Sequence, residues 1–77
     1  MQITIYGSGC AKCKQTEALV REVVDRLGVP AEIVKVADPR DIAAAGVLMT
    51  PAVGIDGTIK LSGRLPRRDE IAGWLGR

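Results

Sequence analysis

The 77-residue chain contains no histidine and no phenylalanine, and Tyr6 and Trp74 are its two aromatic residues. Without histidine, Ser8 lacks the usual activating base, which excludes a serine nucleophile. No apolar run approaches the roughly 18 residues of a membrane span. Neither charge sign dominates: 11 basic against 9 acidic residues leave a net charge of +2. That balance is too mild to point to nucleic acid, and no aromatic stacking platform accompanies the basic residues Lys60, Arg64, Arg67 and Arg68. Those four read as a solvated surface face. Gly7 and Gly9 are not followed by a third spaced glycine, so a dinucleotide site is not expected. The chain does not open on a basic segment followed by an apolar stretch, and the expected location is therefore the cytoplasm, with its reducing poise.

What is present is an ordinary globular composition, with 47% hydrophobic residues. A chain of this length makes a single domain, 1–77, that buries roughly 60% of its unfolded-state surface. With two aromatics, small aliphatic side chains supply nearly all of that burial.

Both cysteines fall in one tetrapeptide, Cys10-Ala11-Lys12-Cys13. Random placement gives this spacing in about one arrangement in forty. A bridge across so few residues removes little chain entropy, so a purely structural staple is a poor explanation. A C-x-x-C pair that does not staple exchanges electrons or binds metal, and context must decide between these.

The context is read from periodicity. Ile3 and Ile5, with Thr4 and Tyr6, form a β-rich opening strand ended by Gly7-Ser8-Gly9. Leu19, Val20, Val23, Val24 and Leu27 recur at helical spacing, and Gly28 and Pro30 stop that helix, which runs from about Cys10. Residues 32–36 read as a second strand. Asp38-Pro39-Arg40-Asp41 opens a second helix, with a capping acceptor, proline at the first position and an acid in the first turn; it ends at Gly46. Ala52, Val53 and Ile55 form a third strand, Asp56-Gly57 a tight hairpin turn, and residues 58–61 a fourth strand. A last helix carries Ile71, Trp74 and Leu75 on one face. The order β-α-β-α-β-β-α specifies an α/β fold with a mixed four-stranded sheet covered by helices.

The dithiol therefore stands where the first strand gives way to the first helix. Unpaired amides and the helix dipole favour negative charge there. Lys12 and Lys14 add positive charge, and such surroundings lower a cysteine pKa to about 3.5–7.5. Cys10 is expected to be the exposed, acidic, attacking thiol, and Cys13 the resolving one. Thr50-Pro51 precedes the third strand, where a trans proline simply beginning the strand is the ordinary reading. Tyr6 and Trp74 read as packing residues, with a gating role for Tyr6 as the alternative.

The segments Gly7-Ser8-Gly9-Cys10-Ala11-Lys12-Cys13-Lys14 and Met49-Thr50-Pro51-Ala52, with the Asp56-Gly57 hairpin and closing helix, resemble the thioredoxin-like fold. More narrowly, the chain is similar to the small glutaredoxin-sized redox-active disulfide proteins of archaea and bacteria, over essentially its whole length. The resemblance implies a cis Pro51 close to Cys10, and a Thr50 backbone that receives an extended substrate segment. It also implies thiol–disulfide exchange through Cys10 and Cys13. Three features depart from the relatives' pattern. Gly9 stands where ordinary thioredoxins carry tryptophan, and Ala11-Lys12 where they carry Gly-Pro. Residues 1–11 hold no charged side chain; Thr4 lies near where thioredoxins bury an acid. Ser62-Gly63-Arg64 lacks the acid with which glutaredoxins help hold glutathione.

The sequence thus predicts a thiol–disulfide oxidoreductase acting on disulfide-containing proteins, reloaded by a separate reductase. It is expected to need no bound cofactor or metal, to engage neither nucleic acid nor membrane, and to act as a monomer. Two alternatives stand beside this. One is a small Cu(I)- or Zn-binding C-x-x-C protein, although the Asp38-Pro39 helix start falls where such domains have a strand. The other is a redox-sensing adaptor that binds a partner without turnover.

Overall fold

The computed structural model describes residues 1–7, 9 and 11–76. Its elements follow the predicted order: β1 (Gln2–Tyr6), α1 (Ala11–Leu27), β2 (Glu32–Val36), α2 (Pro39–Ala44), β3 (Ala52–Ile55), β4 (Thr58–Ser62) and α3 (Arg68–Trp74). The strands form one sheet in the order β2-β1-β3-β4.

β1 and β2 run parallel, joined by α1, while β1 and β3 run antiparallel, as do β3 and β4. The second crossover is therefore unlike the first. α2 and the loop after it stay at the C-terminal end of β1 and β2, and β3 starts back from there with Ala52 opposite Tyr6. This reversal brings the Thr50-Pro51 segment to the end of the sheet at which α1 begins.

Strand alternation divides the interior in two. Ile3 and Ile5 of β1 join Val53 and Ile55 of β3 on one face, packed against Val20, Val23 and Val24 of α1 and Ile71 and Leu75 at the C-terminal helix. Leu19, Leu27 and Trp74 pack against this cluster from its margin. Tyr6 and Ala52 face the other way and meet Ile42 of α2 and Val47. Tyr6 is thus a packing residue, and Gly54 opposite Thr4 makes room for its ring: an added Cβ would lie 3.3 Å from Tyr6 Cε2.

Local chemistry sets the element ends. Asp38 caps α2, its carboxylate accepting from the Arg40 amide at 2.8 Å, with Pro39 at the first helical position. At the start of α3 the Glu70 carboxylate accepts from the Arg67 amide at 2.9 Å. The basic residues read as a solvated face are largely paired. Arg64 meets Glu70 at 2.7 Å, Arg67 lies 3.7 Å from the same carboxylate, and Arg68 reaches across to Glu22 on α1. No helix among the described residues is long and apolar enough to cross a membrane.

Candidate active site

Cys10 lies outside the described residues, so the site is built from Cys13 outward. Cys13 occupies the first turn of α1, is 6% exposed, and is disulfide-bonded. Position 13 shares a helix face with Thr16 and Val20, which are fully buried, so the helix that packs the core also turns this cysteine inward. Thr16 is the one buried polar residue among those described; its hydroxyl donates to the Lys12 carbonyl at 2.8 Å.

Gly7 stands directly beneath Cys13. Its amide donates to the Val36 carbonyl at 3.0 Å, prolonging the β1–β2 ladder by one residue. The space its side chain would take is filled by Cys13: an added Cβ would lie 2.3 Å from the cysteine sulfur.

Beside this contact runs a groove, open to solvent, lined by Ile5, Gly7, Gly9, Cys13, Lys14, Glu17 and Lys35. Glu17 and Lys35 form an ion pair at 3.2 Å, and Arg21 takes the other carboxylate oxygen at 3.0 Å. The hydrogen bonds from Lys35 and Arg21 hold the Glu17 carboxyl below the ordinary range, so it is ionised at neutral pH. Sequence reading did not single out this pair. Glu17 is one helical turn from Cys13, but Lys35 reaches the groove only because Ile5 and Lys35 are register partners in β1 and β2. Lys12 and Lys14 are both exposed; Lys14 borders the groove and Lys12 does not. No acidic residue occupies the first turn of α1.

The Thr50–Pro51 peptide is cis. Pro51 is fully buried, and its carbonyl accepts from the Gly63 amide at 2.9 Å. Met49 packs over Gly63, whose φ of +88° suits a residue without a side chain. Thr50 is exposed at the surface, preceded by Leu48 and Met49, which are 94% and 63% exposed.

Comparison with known proteins supplies the setting for this geometry. Residues 1–76 match the thioredoxin domain family. The chain is similar to a protein called thioredoxin from Methanothermobacter thermautotrophicus, with 41% identity over 71 residues, 92% of each chain. It is also similar to one called thioredoxin from Methanocaldococcus jannaschii, with 46% identity over 69 residues, 90% of this chain and 79% of that protein. A buried, disulfide-bonded cysteine at a strand-to-helix junction and matches of this extent lead to one conclusion: the chain belongs to the thioredoxin domain family and is a thiol–disulfide oxidoreductase.

Proposed function

We propose that residues 1–77 form one domain that reduces protein disulfides through a Cys10/Cys13 couple. Cys10 thiolate attacks one sulfur of the substrate disulfide. That S–S bond breaks, its electron pair leaves with the other substrate sulfur, and a Cys10–substrate mixed disulfide remains. Cys13, deprotonated, then attacks Cys10; the Cys10–Cys13 bond forms and the second substrate thiolate departs. Two electrons have passed to the substrate, and a separate disulfide reductase restores the dithiol.

The observation that carries this reading is the placement of Cys13: buried, disulfide-bonded and on the first turn of α1. The helix start and the exposed Lys12 and Lys14 favour a neighbouring thiolate, with no acid in the first turn to oppose them. Thr50 offers its backbone to an extended substrate segment beside Pro51. Leu48 and Met49 add apolar surface for that segment. The protein works as a monomer in the cytoplasm and has no obligate use for glutathione.

The experiment is a trapping assay with a disulfide-bonded test protein. Cys13→Ser, unable to resolve, accumulates a covalent adduct visible by mass spectrometry, and Cys10→Ser does not. The wild-type chain speeds reduction of the same substrate by dithiothreitol. Adduct through Cys13, or faster alkylation of Cys13 than of Cys10 near neutral pH, reverses the assigned roles. No acceleration at all points to an adaptor.

A further inference from the structure

Gly7 reads in the sequence as no more than the glycine that ends the first strand. Its φ is not in the left-handed region, so conformational freedom does not explain it. Space does. A Cβ at position 7 would lie 2.3 Å from the Cys13 sulfur and 2.8 Å from the Cys13 Cβ. Heavy atoms in ordinary contact stand about 3.5–4.0 Å apart. The next tightest glycine, Gly54, would place a Cβ no closer than 3.3 Å to its neighbour. Neither party at position 7 yields easily. The Gly7 amide is tied to Val36 at 3.0 Å, and Cys13 belongs to a 17-residue helix anchored through Val20, Val23 and Val24.

We propose that Gly7 is a positioning residue for the redox couple: its bare backbone seats the Cys13 sulfur in the disulfide and so favours the oxidised state. This rests on the reading of Cys10 and Cys13 as the exchangeable pair. The selectivity comes from rotation. A thiol sulfur can move to another staggered position about the Cα–Cβ bond, whereas a bonded sulfur is held by its partner. A methyl group at position 7 crowds the Cys13 Cβ in both states, but the sulfur only where the sulfur cannot turn away. In the exchange of protein dithiol and oxidised dithiothreitol for protein disulfide and reduced dithiothreitol, two electrons and two protons move between the couples. Alanine at position 7 pushes that equilibrium toward the protein dithiol.

The test is a redox titration of wild type, Gly7→Ala and Gly54→Ala against dithiothreitol buffers, read by alkylation and mass. For Gly7→Ala the equilibrium constant for disulfide formation falls tenfold or more, a midpoint at least about 30 mV more oxidising. Its oxidised form also loses more thermal stability than its reduced form. Gly54→Ala, which crowds Tyr6 and not the sulfur, destabilises both forms alike and leaves the midpoint in place. An unchanged midpoint in Gly7→Ala, or an equal shift in Gly54→Ala, overturns the proposal. Should Gly7→Ala fail to fold, the same change is made in Cys13→Ala: recovery there supports the sulfur as the obstacle, and failure in both backgrounds overturns it. A wild-type chain with no reversible two-electron transition instead sinks the exchange reading itself.

Discussion

Gln2 and Asp56 exchange two hydrogen bonds across 54 residues of chain: the Gln2 amide donates to the Asp56 carboxylate at 2.7 Å, and the Asp56 amide donates to the Gln2 carbonyl at 2.8 Å. The pair fastens the start of β1 to the turn between β3 and β4. Asp56 holds a φ of +48°, the one described non-glycine residue at positive φ, and aspartate tolerates that region better than most side chains.

Asp56→Ala therefore loses an acceptor and sets alanine in an unfavourable backbone conformation, with an expected cost of about 1–2 kcal/mol. Asp56→Asn keeps both the conformational preference and an acceptor oxygen, and costs less than half as much. Urea denaturation midpoints of the two variants check the order; equal losses would show that the carboxylate charge, not the geometry, matters.

Thr16 makes a second measurable contribution. Thr16→Val keeps the volume of this fully buried side chain but removes its bond to the Lys12 carbonyl. A loss of about 1 kcal/mol is expected. Thr16→Ala adds a small cavity and costs more. A Thr16→Val protein as stable as wild type would mean that the hydroxyl is dispensable.

The acid limb of stability is expected to carry the signature of Glu70. The hydrogen bonds from Arg64 and the Arg67 amide lower its carboxyl from 4.5 to about 2. A folded-state value below the unfolded one contributes stability that is whole above pH 4.5 and is lost as pH falls toward 2. Glu70→Gln is therefore less stable at neutral pH and shows a shallower loss across that window. Glu17 and Glu22 are also held low, by Lys35 and Arg21 and by Arg68, and steepen both curves. Because these groups face solvent, added salt narrows the difference. A pH scan of thermal midpoints at low and high salt tests both statements.

Much of the fold is local chemistry and could be read directly. The spacing of Val20, Val23 and Val24 marks α1, Asp38-Pro39 marks the start of α2, and Asp56-Gly57 marks the hairpin; each signal lies within the element it specifies. The cysteine pair is legible for the same reason, whereas the cis bond before Pro51 follows from the resemblance and not from the local residues, which suggest an ordinary trans proline. What escaped depends on partners distant in sequence. Gly7 looks like punctuation until Cys13 is placed above it, and Lys35, an exposed strand charge, is tied to Glu17 and the groove only once register sets it beside Ile5. Thr16, polar on a helix, gives no sign of burial because the turn that satisfies its hydroxyl exists only after folding. The reversal of β3 against β1 is a further case, since a helical connection by itself suggests a parallel return.

That reversal gives the molecule two unlike poles. Gly7, the first turn of α1 and Pro51 share one, and the Asp56-Gly57 turn marks the other, separated by the four residues of β3, about 13 Å. A single attachment point introduced at the exposed position 58 would thus leave the Cys13 pole facing outward. With that one attachment point, every copy on a surface presents the same end to solution.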